Sequence, residues 1–257
     1  MRFQKRQRFI LQVCALVLVA TLVDCIQLSA QPKSDLPVVI ITFDDADQTV
    51  YSRGFKIMQA KAPAWKATHF FPLVALSTQG HMSLAQVQEM EVAGWENGGH
   101  GVLHENLASI PLDSVRSQVA QVDSFFKANN LAMNSWAYAY GNYNDSVQSV
   151  VAKYVQNIRT SHDGAYVGEV NRLQLGYYAV RKEQTLQDII NRVEKARNDG
   201  SKIVIIGFHV ILDPNEPESP DYFTRTPIFE GFIDYLLAHE YPVMDIRDAM
   251  TRVLTAY

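Results

Sequence analysis

The strongest pattern in the chain is the apolar run Val38-Val39-Ile40-Ile41-Thr42-Phe43, which ends on two adjacent carboxylates, Asp44 and Asp45. A continuous β-branched stretch bounded by Pro37 and by acids predicts a strand covered on both faces. Ile203-Val204-Ile205-Ile206-Gly207-Phe208 repeats the pattern and ends on His209. Shorter strand signals cover residues 67–71, 95–100, 135–138, 157–160, 177–181 and 242–244. Helical spacing or capping covers 47–61, 83–94, 112–128, 145–154, 185–198, 227–239 and 246–254. Strand and helix alternate throughout, which places the chain in the α/β class with a parallel sheet and helices outside it. About seven such units in this length suit one distorted (β/α) barrel better than an open sheet.

Composition changes this picture only at the start of the chain. Arg2, Lys5, Arg6 and Arg8 precede an apolar run from Phe9 to Val23, and Leu28-Ser29-Ala30 follows. Basic, then apolar, then small is the order of an export signal, so residues 1–30 are expected to be a signal peptide and 31–257 one domain. An uncleaved anchor is the other reading of the same segment, although the run falls short of the roughly 20 residues a membrane span needs. Both cysteines, Cys14 and Cys25, lie in this segment. The exported chain would then carry no disulfide, and any metal site in it must use His and carboxylates. The first thirty residues hold four basic side chains and one acidic, leaving a formal charge of −7 on the remainder against −4 for the whole. That balance excludes a nucleic-acid footprint and gives no attraction to anionic membranes beyond the N-terminal segment. No partner protein is implied.

The candidate chemistry sits at strand ends. His100 and His104 lie four apart, and on a helical turn both rings would face one way and could share an ion. Gly98, Gly99 and Gly101 keep the backbone bare beside them, as close approach of another group would require. Taken singly, Asp44 and Asp45 could be a cap and a buried ion pair, and His209 a satisfied core histidine. A barrel would bring all three strand ends to one face. Two His and one carboxylate could then surround a divalent ion, with a second carboxylate and a third His free as base and acid.

Thr42-Phe43-Asp44-Asp45, G-W-E-x-x-x-H-x-x-x-H from Gly94 to His104, A-Y-A-Y-G-N-Y-N from Ala137 to Asn144, and Phe208-His209 occur in that order. Together they resemble the motifs of the polysaccharide deacetylase family (NodB homology domain, carbohydrate esterase family 4), over nearly all of residues 36–255. The resemblance implies that Asp45, His100 and His104 hold a divalent metal, Zn2+ first and Co2+ or Ni2+ as alternatives. Asp44 would be the general base and His209 the general acid, and the Tyr140 backbone N–H would help stabilise the oxyanion. The implied activity is removal of N-acetyl groups from an N-acetylglucosamine-containing polysaccharide or oligosaccharide. O-acetyl ester hydrolysis on xylan-type polymers, and carbohydrate binding without catalysis, are the alternatives.

Four departures from the family pattern matter. Ala46 stands where Gly often follows the aspartates, and Gly207 stands where many members carry a leucine lining the acetyl pocket; Ile211, two residues after His209, is the candidate to fill that gap, with a plain core role as the preferred reading of it. The third motif lacks the arginine that orients the base, and is closest to that of exopolysaccharide poly-N-acetylglucosamine deacetylases. The fourth motif is not recognisable. Arg181 is expected to supply the missing cation beside Asp44, with Arg159 as second choice. Tyr138, Tyr143 and Tyr166 are candidates for stacking on sugar, and the acidic, Pro-rich loop 213–220 for a rim of the groove. Trp95 and Trp136 are expected in the core. His69, His81, His162 and His239 are given no role.

Overall fold

Alternation along the first strand organises the domain. The computed structural model describes residues 36–162, 166–218 and 221–255; the expected signal segment, with both cysteines, lies outside them. Strand β1 (Val38–Asp44) is buried along its whole length. Val39, Ile41 and Phe43 pack into the helix-facing core, whereas Val38 and Ile40 belong to a second cluster on the other face. With period two, Thr42 and Asp44 share the face of Val38 and Ile40, the interior of the barrel.

The remaining strands are β2 (Thr68–Phe71), β3 (Glu96–Gly99), β4 (Ser135–Ala137), β5 (Asn157–Arg159), β6 (Tyr178–Ala179), β7 (Ile203–Phe208), β8 (Val210–Leu212), β9 (Phe223–Arg225) and β10 (Val243–Met244). Seven of them run in the order β5-β4-β3-β2-β1-β7-β6. Every pairing in this sheet is parallel, and β10 pairs with the first half of β1, where β2 does not reach. Between β5 and β6 the ring is closed by irregular chain. Ile158 N donates to Arg172 O (2.8 Å), Leu175 N to Ile158 O (2.9 Å) and Thr160 N to Leu175 O (2.6 Å). The fold is therefore a distorted (β/α) barrel. Strands β8 and β9 form a separate parallel pair that the sequence pattern does not signal.

The helices are α1 (Lys56–Lys61), α2 (Leu84–Val92), α3 (Leu112–Ala128), α4 (Asp145–Val151), α5 (Leu186–Asn198), α6 (Thr226–Ala238) and α7 (Ile246–Thr255). A π-helical turn, Val50–Phe55, leads into α1. Ser83 with Gln86 and Thr185 with Asp188 form capping boxes for α2 and α5, and Asn144 caps α4. Helix α3 buries Val115, Val119, Val122 and Phe126 at helical spacing. Among the described residues no helix is long and apolar enough to cross a membrane.

The end of the barrel where the strands begin is closed by polar groups. Glu96 opens β3 and is fully buried. It accepts from Thr68 Oγ1 (2.9 Å), Ser135 Oγ (2.6 Å) and the Arg247 N–H (3.0 Å) of α7. Asp245, also fully buried, caps α7 through the Asp248 N–H (2.8 Å) and pairs with Arg247 (2.9 Å). Burial, then repulsion from Asp245, pushes the Glu96 carboxyl up to about 7. Burial likewise raises Asp245 to about 6.

Candidate active site

The opposite end, where the strands finish, gathers the chemistry. Asp44 is the last residue of β1 and points into the barrel. Asp45 turns away on a left-handed backbone (φ 72°). The alternation of a strand end thus gives neighbouring carboxylates different surroundings. His100 follows β3, and His104 lies at the far end of a loop in which Gly101 (φ 88°) and His104 (φ 55°) are left-handed. The two imidazoles converge through this loop and not, as expected, along a helical turn. Gln118 of α3 braces it, accepting from Val102 N (3.2 Å) and donating to Glu105 (2.5 Å).

Asp45 Oδ1 lies 3.1 Å from His104 Nε2 and 3.4 Å from His100 Nε2. Ligands at 2.0–2.1 Å around a tetrahedral ion are separated by roughly 3.3 Å, so these spacings fit one divalent cation. His100 Nδ1 donates to Ala137 O (2.8 Å), which leaves the Nε2 lone pair for a metal and fixes the ring. That bond needs β3 and β4 close together. A Cβ on Gly99 would sit 2.3 Å from the Trp136 ring, so only glycine permits the approach. Asp45 Oδ1 is buried with no hydrogen-bond partner of ordinary geometry, as an unfilled ligand would be. Burial opposes its charge, but the His100 and His104 imidazoles close beside it outweigh that and hold the carboxyl well below the usual range. His104 is raised by the same contact.

Asp44 carries the second half of the site. Its Oδ2 accepts from Arg159 Nη2 at 2.5 Å, an ion pair with both side chains almost wholly buried. Arg159 is the second of the two cations expected there, and it takes the place assigned to Arg181. Arg181 instead lies over the Tyr222 ring, 4.8 Å from its centroid, on the cavity wall. The reason is the position of each residue on its strand. Asn157 and Arg159 share the interior face of β5, so the guanidinium spans the barrel, whereas Arg181 lies beyond the end of β6. His209 Nε2 is 3.6 Å from Asp44 Oδ2 and its ring packs on Tyr222 at 4.8 Å. Burial lowers the His209 pKa despite the nearby carboxylates.

These groups line one cavity of about 420 Å3. Tyr140 stands at its mouth, exposed, left-handed (φ 59°) and with its ring 4.8 Å from that of His104. Ile211 does not reach the cavity: it is fully buried in the helix-side core, and its neighbour Val210 lines the site. The strand alternation of β8 turns Ile211 inward. Tyr166 is buried with its hydroxyl bonded to Gly176 O (2.7 Å) and does not line the cavity, whereas Tyr138, largely buried and stacked on Tyr143, is part of the cavity lining. The described part of loop 213–218 does not line the cavity. Arg53 ties it back to the π-turn through Glu216 (2.6 Å) and Asp213 (3.0 Å). Trp95 and Trp136 are core residues, and His69 is fully buried beside Asn97. His81 and Asp47 form a short bridge on the cavity wall, a placement that the sequence does not suggest.

Comparison with known proteins gives a match of the polysaccharide deacetylase family model to residues 31–157. Among solved structures, the fold is similar to a family 4 acetyl xylan esterase from Clostridium thermocellum in complex with a cobalt ion, at 15% identity and TM-score 0.57, covering 83% of this chain and 90% of that one. A carbohydrate esterase family 4 pseudoenzyme from Bacillus anthracis is similar at 16% identity and TM-score 0.56, over 84% and 66%. A Streptococcus pyogenes deacetylase in complex with acetate is similar at 22% identity and TM-score 0.55, over 60% and 69%. No curated protein sequence matches the chain.

Proposed function

The chain belongs to the polysaccharide deacetylase family, and on that premise we propose that it is a metal-dependent hydrolase that removes N-acetyl groups from an N-acetylglucosamine-containing polysaccharide. One observation carries the reading: Asp44, held by Arg159, and His209 face the Asp45–His100–His104 cluster across a single cavity. A divalent ion bound by Asp45, His100 and His104, most simply Zn2+, would acidify water and polarise the acetyl carbonyl. Asp44, oriented by its ion pair with the buried Arg159, accepts the proton of the attacking water. Tyr140 lines the cavity, and its backbone N–H would donate to the developing oxyanion. His209, neutral while its pKa is lowered, must receive a proton before it can give one. Asp44, 3.6 Å away, is the group that holds it. His209 then protonates the leaving amine as the carbon–nitrogen bond breaks, leaving acetate and a free amino sugar.

The complete set of two aspartates and three histidines argues for catalysis and against a binding protein on the same scaffold. O-acetyl ester hydrolysis would use the same base and metal ligands. The N-terminal order of basic, apolar and small residues supports an exported protein acting outside the cytoplasm. The test is acetate release by purified residues 31–257, loaded with Zn2+ or Co2+, from chitin oligomers, peptidoglycan, poly-N-acetylglucosamine and acetylxylan. Release from an amino-sugar polymer, lost in Asp44→Asn, is the expected result. Release from acetylxylan alone would replace the reading with an esterase, and bound metal without any release would replace it with a binding protein.

A further inference from the structure

The interior face of the barrel directly below Asp44 is built in an unusual way. Thr42 is two residues before Asp44 on that face, and its partner across the pairing with β7 is Gly207, which has no side chain. The space is not empty. A Cβ at Gly207 would lie 2.4 Å from Cδ2 and 2.5 Å from Cε2 of Tyr177, a residue of the irregular segment that closes the barrel. Tyr177 therefore rests on bare backbone, and any side chain at 207 would displace it. The same ring carries the Arg159 guanidinium, whose centre is 3.8 Å from the ring centroid and 5.2 Å from that of Phe70. Stacking of this kind fixes the plane of a guanidinium and so the direction of its bond to Asp44. Tyr177 is half-buried and lines the cavity.

Resting on the deacetylase reading, we propose that Tyr177 sets acyl selectivity: its ring, seated on Gly207, forms the floor of the acyl pocket and holds Arg159 against Asp44. A carbonyl carbon placed within reach of water at Asp44 points its acyl chain toward the interior face, where this ring limits depth. The pocket accepts a methyl group and rejects longer chains. Tyr177 is thus a specificity residue through its surface and a positioning residue through Arg159.

Two measurements test this. The first compares kcat and KM for acetyl, propionyl and butyryl amides of the same glucosamine oligomer, in the wild type, Tyr177→Phe and Tyr177→Ala. Tyr177→Phe keeps the wild-type butyryl-to-acetyl ratio, because the ring remains, while its kcat reads what the hydroxyl's bond to Arg159 adds to the positioning. Tyr177→Ala lowers kcat on acetyl and shifts the butyryl-to-acetyl ratio by about tenfold or more, the scale of a few methylenes in an apolar pocket. An unchanged ratio in Tyr177→Ala, with its melting curve showing a folded protein, would overturn the floor. The second measurement needs no turnover. The Tm losses of Tyr177→Ala and Arg159→Met are less than additive in the double variant if the two form one clamp, and strictly additive losses would overturn it. Should the wild type release no acyl group at all, the deacetylase reading and the acyl floor fail together, while this cycle still decides the clamp.

Discussion

Replacing Glu96 by Gln changes one atom at the closed end of the barrel and should reverse part of the protein's pH dependence. The sign follows from the raised pKa. A carboxyl that titrates at 4.5 when unfolded and about 7 when folded binds its proton more tightly in the native state. Its stabilising contribution is fully present below pH 4.5 and is lost as pH rises through 7. The shift of about 2.5 units corresponds to roughly 3 kcal/mol at 1.36 kcal/mol per unit. An opposing effect exists: an anion at the N-terminus of α7 gains roughly 0.3–1 kcal/mol from the helix dipole. Burial and repulsion from Asp245 are larger, so the charged form remains a net burden. Gln keeps an acceptor for Thr68 and the Arg247 N–H and offers a donor to Ser135. Glu96→Gln should therefore melt near the wild type at pH 5 and above it at pH 8.5. At roughly 2–4 °C per kcal/mol for a domain of this size, the gap is about 6–12 °C. Thermal unfolding of both proteins from pH 5 to 8.5, with chelator to remove metal linkage, measures it. Parallel curves, or a variant less stable at pH 8.5, would refute the argument.

The active-site end makes three further predictions. Arg159→Met should lower kcat by about a hundredfold or more, the usual cost of misplacing a reacting group, whereas Arg181→Ala stays within about threefold; acetate-release kinetics showing the reverse order would restore Arg181 as the orienting cation. Chelation should abolish turnover, Zn2+ or Co2+ should restore it, and the loaded protein should melt higher than the stripped one, since a ligand that binds only the folded state stabilises it. Full activity with less than about a tenth of an ion per chain, by elemental analysis, would sink the metal assignment. Arg53→Ala frees the loop that follows β8. Because Glu216 is well exposed, the loss in stability should be no more than about 1 kcal/mol, yet hydrogen exchange over 210–218 should accelerate. Unchanged exchange there would mean that Arg225, which donates to Asp213 O and Glu216 O, and Thr226, which donates to Asp213, hold the loop without Arg53.

Much of this architecture was legible because it follows local periodicity. The continuous apolar runs of β1 and β7 mark buried strands, and the regular spacing in 112–128 marks α3. Asp44, Asp45 and His209 stand out because polar residues end those runs, and His100 and His104 because they lie four apart among glycines. What the sequence hid depends on contacts across the barrel. Asn157 and Arg159 occupy alternate positions of a strand, so their shared inward face was available from the pattern. The distance from Arg159 to Asp44, 115 residues away in sequence, was not. The β-favouring pattern around Tyr177 predicts a strand that includes it, whereas β6 begins one residue later, at Tyr178. Only the closed barrel brings Tyr177 over Gly207. Ile211 stands two residues after His209, but the chain turns into β8 just after that histidine, so the count does not follow one face and Ile211 takes the core role, the preferred reading of the two.

The backbone at the site explains why a rigid core is needed beneath it. Asp45, Ala46, His104 and Tyr140 all have positive φ without being glycine. Each such residue costs roughly 1–2 kcal/mol relative to a relaxed conformation, and such residues persist only where the surroundings over-determine them. Asp45 and Ala46 follow directly from β1, whose buried side chains are locked on both faces of the sheet. Gln118 and the Gly99–Trp136 contact fix the loop of His104, and Gly141, packed on Ser161, fixes the turn of Tyr140. Three strained segments, each anchored separately, converge on one cavity. A single set of ligand and proton-transfer distances survives there because no one segment can relax without breaking packing that belongs to the barrel.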